Sequence, residues 1–527
     1  MTNTNKASVD AVIIGSGFGG SINALRLAEA GRSVLVLERG RRYPPKTFPR
    51  DVEDTDALLW RHDDRPSARG LFDLRFMSGI ATLTAAGVGG GSLVYASIHY
   101  RPRAAIFEDP RWPEPFRLDT LEPYYAKVAQ NLGVQVVPPE LALVKRERFH
   151  QAGAAMGRRV MDTPQAVSWN QVFGAGEGRQ TCRLCAECEF GCTYGAKNTL
   201  DFTYLAQAEA KGAQLRTDCV VSHIAPAPEG GWAVHYRDLA SGSSQRVVGR
   251  KVILAAGTLG SNEILLRSRD VARTLPKLSH RLGQGYSGNG DFLGNIQNAD
   301  ASLEPWVGPD VTSVMWHDDD DAHSFVLATP TFNEPVMRVL ASMGQAPPRP
   351  LLDRLARPLW RYVPGLLVKA LRAGLLSKPF AVPAKGAGPA ERMTTVFAIG
   401  RDNAGGRMVL RRGRLDIVWD YERENRALIA RQRAAMQDLA HRYGGSYADF
   451  PLWGPFTRTM TVHNLGGCAL STSAEQGVVG VDGQVHGHAG LYVADGSVIP
   501  TSIGSHPVMT ISAVAEWIAE RVVASFA

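Results

Sequence analysis

Residues 9–38, VDAVIIGSGFGGSINALRLAEAGRSVLVLE, constrain the fold more than any other stretch of this chain. An apolar strand (Val9, Ala11 to Ile14) runs into a turn through Gly15, Gly17 and Gly20. Apolar periodicity then predicts a helix over 21–30 and a second strand over 33–37 that ends in Glu38. A GxGxxG run alone is weak, but strand, helix, strand and terminal acid together form a dinucleotide-binding unit. Gly15 permits the tight turn, Gly17 lets the backbone approach a pyrophosphate, and Gly20 lets the helix pack on the strand. Glu38 is placed to accept hydrogen bonds from a ribose. Parallel strands joined by a helical crossover need helices over the sheet, so an α/β domain is expected here.

The rest of the chain must supply more than this unit. With 527 residues and 44 % hydrophobic content it can bury a large core and should divide into two domains. No stretch reaches the roughly 18 uninterrupted apolar residues of a membrane span. A formal charge of +7 is modest for this length and implies no nucleic-acid partner. The charge is unevenly placed. From Arg349 to Lys378 seven basic residues face one acid, Asp353, in RPLLDRLARPLWRYVPGLLVKALRAGLLSKPF. Leucines at helical spacing beside Arg, Lys, Trp360 and Tyr362 give the composition of a basic interfacial helix, so peripheral membrane contact through 349–380 is one expectation. A helical hairpin with solvated cations is the other. The acidic run Asp318 to Asp321 reads as a solvated loop.

Three later segments bear on the ligand. AAGVGGGSLVYAS at 85–97 is glycine-dense, and Gly90, Gly91 and Ser92 put backbone where something large and flat or charged must pass. KVILAAGTLGSNEILLRS at 251–268 reads as a buried strand, a small-residue turn and a helix. Near the carboxyl end a strand ends in Asp495, followed by a loop and a long helix opening near Met509, which can approach an anionic or carbonyl edge of a cofactor. Three distant cofactor-like segments suit a long ligand and favour FAD over NAD.

Between Cys182 and Cys192 the chain reads CRLCAECEFGC, a C-x2-C-x2-C-x3-C array holding four of its six cysteines. That is the ligand spacing of a cubane iron–sulfur loop, so a [4Fe-4S] cluster on Cys182, Cys185, Cys188 and Cys192 is expected. Structural zinc usually takes two cysteine pairs separated by a dozen or more residues, and the array has no second pair. The opening MTNTNKASVD shows no secretory pattern, which points to a reducing cytoplasm and away from disulfides. Zinc and ligand-free thiols stay open as lesser alternatives. Thr193 stands where bacterial ferredoxins place proline, and in two-cluster ferredoxins the fourth cysteine serves the other cluster. Cys219 and Cys468 are therefore alternative fourth ligands to Cys192.

Taken together, GVGGGSLV at 87–94, AAGTLGSNEILLRSRD at 255–270, HNLGGC at 463–468 and VADGSVIPTSIGSHP at 493–507 resemble the glucose–methanol–choline (GMC) oxidoreductase family, specifically its cholesterol-oxidase-like branch. The resemblance runs from Val9 to the final helix and is weakest over 300–460. It implies FAD in a Rossmann-like domain, a second domain built on a mostly antiparallel six-stranded sheet roofing the flavin ring, and oxidation of an alcohol. The overall class is thus α/β and α+β. By the same resemblance His463 matches the catalytic histidine, and His506 sits where a second His or Asn faces the substrate hydroxyl. Asp495 matches an acid at the flavin ribityl chain, and Val221 a backbone contact to adenine.

Two histidines suit that chemistry, because a carbinol expels hydride readily only as its hydroxyl proton leaves, and histidine can share a proton near neutral pH. Which of the two is the base is not legible in the sequence. His99, His223, His486 and His488 are expected to be structural. Tyr95 departs from the family, which has Asn there, and SFVLATPTF offers no acid where steroid oxidases place an isomerising glutamate, so double-bond isomerisation is not expected. An apolar middle section (Phe325, Val326, Leu327, Phe332, Val336, Met337, Leu340) suits a sterol-, terpenoid- or lipid-like substrate.

The resulting expectation is an FAD-dependent dehydrogenase whose electrons leave singly through the cluster to a carrier protein or quinone. A ferredoxin-driven reductase of an activated alkene or carbonyl, a non-catalytic lipid-binding flavoprotein and a cluster-based redox sensor are the alternatives. The expected division is a discontinuous FAD domain (1–105, 195–295 and 463–527), a cysteine-bearing insertion (106–194) and a substrate domain (296–462). A cytoplasmic protein, with its basic segment as a peripheral contact to the inner face of the membrane, completes the expectation.

Overall fold

Two sheets organise the chain. They are seen in a computed structural model that describes residues 8–51, 54–60, 62, 69–343, 388–450 and 459–526. The first sheet begins with Ser8–Ile14, which pairs in parallel with Val34–Leu37 on one side and with Ser244–Leu254 on the other. Gln214–Arg216 extends it beyond Val34–Leu37, and Leu491–Val493 adds in parallel to the end of Ser244–Leu254. Residues 11–14 and 34–37 are almost wholly buried. Such strands are covered on both faces, which is why their apolar runs are continuous and not alternating. Cys219–Pro226 and Trp232–Asp238 join antiparallel and complete seven strands.

The helix after the first strand runs Phe18–Glu29, three residues earlier than periodicity predicts. Its first turn contains Gly19 and Gly20, of which Gly20 read as a turn residue in the sequence. Both are helical because both lie against backbone. A Cβ on Gly20 would fall on the carbonyl oxygen of Gly15, and one on Gly19 on that of Ala494. The last helix, Val508–Ala524, packs on this first helix and buries nearly all of its length.

The second sheet has six strands, all antiparallel, in the order Ser446–Asp449, Phe292–Gln297, Thr394–Gly400, Phe325–Ala328, Ser313–His317, Val160–Asp162. Its edge strand Val160–Asp162 comes from the stretch that carries the cysteines. Phe325, Val326 and Leu327 lie in a central strand and are buried on both faces. They belong to the core and do not face a ligand, which corrects their reading as substrate contacts. Met337 is likewise buried in a satellite core.

The basic segment 349–378 lies outside the described residues. No helix among the described residues is long and apolar enough to cross a membrane. The acidic run Asp318–Asp321 does sit at the surface, where Arg103, Arg158 and Arg431 pair with it.

Candidate active site

Where the parallel strands of the first sheet end, a cavity of about 580 Å³ opens and continues under the second sheet. Ligands of open α/β sheets bind at such strand ends. Gly15, Ser16, Gly17, Phe18 and Gly19 form one wall, at the amino end of the helix Phe18–Glu29, whose first turn carries no acid. Gly15 holds φ +97°, and a Cβ there would meet Ala255 within 2.9 Å. A second glycine turn closes over the first: Gly90, at φ +53°, stands so near Gly17 that an added Cβ would lie 2.8 Å from its Cα. Free helix amides beside glycine-thinned backbone suit a pyrophosphate.

Glu38 also lines the cavity. One carboxylate oxygen accepts from Ser16 N at 3.0 Å and Ser16 Oγ at 2.6 Å, and the other accepts from Gly40 N at 2.9 Å. The carboxylate is thereby fixed with lone pairs still open on the cavity side. Val220 and Val221 line the cavity too, and Asp495 and Gly496 do so beside the glycine turn, Asp495 Cα lying 3.4 Å from where a Cβ on Gly19 would fall. Asp495 accepts from the Ser497 amide and hydroxyl and from Ser261 Oγ, and burial pushes its carboxyl above the usual range. Gly91 lines the cavity as well. Ser92 does not: its hydroxyl donates to Gly89 O at 2.7 Å and accepts from Leu200 N at 3.1 Å, so it braces the turn from behind. This corrects its reading as a ligand contact.

His463 and His506 meet in the same cavity, ring centroids 5.7 Å apart and planes at 80°. Each has one nitrogen occupied. His463 Nδ1 lies 2.8 Å from Asp291 Oδ1, and Asp291, fully buried, also accepts from Thr461 Oγ1 at 2.9 Å and Val462 N at 3.0 Å. His506 Nδ1 lies 3.1 Å from the Tyr100 hydroxyl. Burial, with His463 and His99 nearby, holds His506 well below the usual histidine range, and burial pushes the Tyr100 phenol up. The two rings thus differ in charge capacity. His463 has a carboxylate at its Nδ1, whereas burial disfavours a charge on His506. Neither Asp291 nor Tyr100 stands out in the sequence, since each is an ordinary residue far from its histidine.

Beyond the histidines the cavity is apolar, walled by Phe190, Phe332, Val336, Leu340, Phe397 and Phe450. Tyr95 lines it too, and its hydroxyl meets His99 Nε2 at 3.0 Å. His99 is a structural residue that burial pushes down to about 3. Glu189, absent from the sequence reading, supplies an acid to this wall. Burial and the neighbouring Asp310 raise it well above the usual carboxylate range.

A second, small cavity adjoins the first. Cys182, Cys185, Cys188 and Cys192 all line it, with Tyr194 and Lys197. The loop turns after successive cysteines through left-handed residues, Leu184 at φ 55° and Ala186 at φ 57°, which is what points the thiols to one side. Such a conformation costs a non-glycine residue about 1 kcal/mol or more. Backbone N–H groups of Leu184, Glu187 and Ala196 are aimed at the sulfurs of Cys182, Cys185 and Cys192. Burial pushes Cys182 up to about 12 and Cys188 well above the ordinary thiol range. Arg50 clamps the loop by the carbonyls of Phe190 and Gly191, and buried Arg179 holds its flank through Gly195 O and Lys197 O.

Among the described residues no three His, Cys, Asp or Glu side chains converge closely enough to hold a single metal ion. The four thiols line one cavity wall and are the donor set that a [4Fe-4S] cluster would take. Cys219 and Cys468 are not part of this wall: Cys219 lines the large cavity and Cys468 is buried against Asn262. Neither substitutes for Cys192.

Fold and site together define a dinucleotide-dependent oxidoreductase. The chain belongs to the GMC oxidoreductase family, whose two profiles, both described as "GMC oxidoreductase", match residues 9–282 and 411–515. It is 31 % identical to a cholesterol oxidase of Mycobacterium tuberculosis over 97 % of this chain and 90 % of that one. A cholesterol oxidase of Acinetobacter baumannii is 28 % identical, covering 97 % and 94 %. A long-chain-alcohol oxidase of Arabidopsis thaliana is 23 % identical over 99 % of this chain and 68 % of that one. Among solved structures, a fungal aryl-alcohol oxidase superposes with a TM-score of 0.61 at 18 % identity, over 99 % of this chain and all of the other. The cofactor of this family is FAD, and the glycine cradle, the fixed Glu38 and the length of the cavity fit it.

Proposed function

We propose that the protein oxidises an alcohol group of a hydrophobic molecule, with FAD held by Gly15, Gly17, Glu38, Gly90, Gly91, Val221 and Asp495, while Gly20 packs the helix on the turn behind them. The observation that carries this reading is the meeting of His463 and His506 in a cavity that is glycine cradle at one end and apolar at the other. The flavin, when bound, supplies the hydride acceptor. His463 is the base. Its Nδ1–H donates to Asp291, which leaves Nε2 unprotonated toward the cavity and a buried carboxylate ready to stabilise the imidazolium. His506, receiving the Tyr100 hydroxyl proton at Nδ1, carries its own proton on Nε2 and donates it to the carbinol oxygen. One ring draws the proton off while the other fixes the oxygen, and the apolar walls exclude water and hold the carbon in place.

The apolar wall supports a sterol-, terpenoid- or lipid-like alcohol, as do relatives named for cholesterol and long-chain alcohols. The proposed division is an FAD domain (1–105, 195–295 and 463–527), a cysteine-bearing insertion (106–194) and a substrate domain (296–462), with strand Phe292–Gln297 crossing the boundary between the first and the last. In this reading Cys182, Cys185, Cys188 and Cys192 would hold a [4Fe-4S] cluster, which would supply a one-electron acceptor; a carrier protein or quinone would be the final acceptor and the enzyme a dehydrogenase. Oxygen is the second reading of the acceptor, favoured by the names of the two cholesterol oxidases and the long-chain-alcohol oxidase. Steady-state oxidation of a panel of sterols, terpenoid and long-chain alcohols, with oxygen or a one-electron dye as acceptor, decides between them. The dehydrogenase reading fails if oxygen supports the faster turnover, and the whole reading fails if no alcohol reduces the bound flavin.

A further inference from the structure

A wall one residue deep separates the two cavities. Cys188 faces the cysteine cavity and the next residue, Glu189, faces the large one. Lys197 stands in this wall, 1 % exposed. Its three ammonium protons find three backbone carbonyls, those of Leu93 at 3.1 Å, Tyr95 at 2.7 Å and Cys188 at 2.8 Å. Leu93 ends the turn Gly90–Leu93 that closes over Gly17, and Tyr95 lines the large cavity with its ring centroid 4.9 Å from the ammonium. A single cation thus ties the cofactor loop to the cysteine loop.

That cation has no carboxylate at hydrogen-bond distance among the described residues. The groups whose charge would act on it most are the sulfurs of Cys188 and Cys192, ahead of Asp310 and Glu189, while burial works against its own charge. An ammonium buried without a partner is costly, and carbonyl dipoles offset only part of that cost. Lys145, the other buried lysine nearby, differs in being bound to Asp310 O and Thr329 O on the far side of the wall.

We propose that Lys197 is a positioning residue for the cysteine site: its fixed charge raises the reduction potential of the cluster, and its three bonds hold the cysteine loop against the flavin loop. This rests on the cluster reading given above. Reduction adds one electron, and so one negative charge, to a cluster already bound by four thiolates. A cation at the wall of the cavity stabilises the reduced form more than the oxidised one.

The test uses full-length protein purified without oxygen, as wild type, Lys197→Met, Lys197→Gln and Lys197→Arg. Iron, acid-labile sulfide and FAD are assayed in each, and the cluster midpoint is followed by electron paramagnetic resonance during a redox titration. The two neutral variants are expected to keep FAD and to show a more negative cluster midpoint than wild type, with Lys197→Arg close to wild type. Neutral variants that hold iron at the wild-type midpoint overturn the proposal. If the neutral variants lose iron and Lys197→Arg keeps it, the charge is required and the proposal stands; if all three lose it, shape and not charge is what matters, and the proposal falls. Wild-type protein without iron or sulfide defeats the cluster reading itself, before any variant is compared.

Discussion

At the scale of single residues, the pairing of His463 with Asp291 separates the two histidines that the sequence leaves equivalent. A base that must become an imidazolium in a mostly apolar cavity needs a fixed anion, and Asp291, buried and triply bonded, is one. His463→Ala is expected to lower kcat by about 10²- to 10⁴-fold with FAD still bound, the usual worth of a positioned base. Asp291→Asn should lose part of that, because the amide can turn an N–H toward Nδ1 and force the wrong tautomer; single-turnover flavin reduction measures both. A second residue-scale expectation concerns stability. Asp201, behind the turn at Gly89, is pushed up by burial from 3.8 to about 6. Between these values the folded state binds a proton that the unfolded state has lost, so folding stability falls as pH rises from about 4 to 6, by at most about 3 kcal/mol. Asp201→Asn keeps an acceptor for Thr199 Oγ1 and removes the titration, so its denaturation midpoint should gain on wild type across that interval and stay higher above it. Equal pH profiles for the two proteins would refute this.

At the scale of elements, the glycines divide by what presses on them. Gly19 and Gly20 sit in the first turn of a helix laid on backbone carbonyls, whereas an added Cβ on Gly91 meets no protein atom within 4 Å. Gly19→Ala should therefore damage folding itself, by more than the roughly 1–3 kcal/mol of ordinary overpacking. Gly91→Ala should fold normally and show its effect as weaker FAD retention, since the methyl projects where the cofactor lies. Thermal melts of the two apoproteins beside FAD titrations tell these apart. The strand, turn and helix around Gly15 are legible in the sequence because their determinants are neighbours along the chain: apolar runs, a φ only glycine adopts readily, a helical period. The three-residue error at the helix start has the same root, as the carbonyls that force Gly19 into the helix belong partly to Ala494, at the other end of the chain. Within the cysteine loop, spacing foretells that four thiols gather, but not the left-handed Leu184 and Ala186 that aim them, nor the Arg50 and Arg179 clamps.

At the scale of the whole molecule, the arrangement is two cavities side by side, one cut by the ends of a parallel sheet and roofed by an antiparallel one, the other enclosed by the cysteine loop. If the cysteine site holds a cluster, chelation or Cys185→Ser should slow dye-coupled turnover far more than the reduction of bound flavin by alcohol. Equal slowing of both would assign the loop a bracing role only. The six-stranded sheet was expected from family resemblance and not from periodicity, because strands such as Phe325–Ala328, buried on both faces, show no alternation, and this same burial made core residues look like substrate contacts. By itself the sequence determined the dinucleotide unit, the cysteine array and the two histidine motifs, all of which rest on residues close in the chain. Only the tertiary structure decided that Asp291, 172 residues from His463, and Tyr100, 406 residues from His506, set the roles of the histidines, and that Lys197 joins the two cavities. The reason is physical. Hydrogen bonding and burial act through space, and a side chain's charge and tautomer are fixed by what folding brings to within about 3 Å of it.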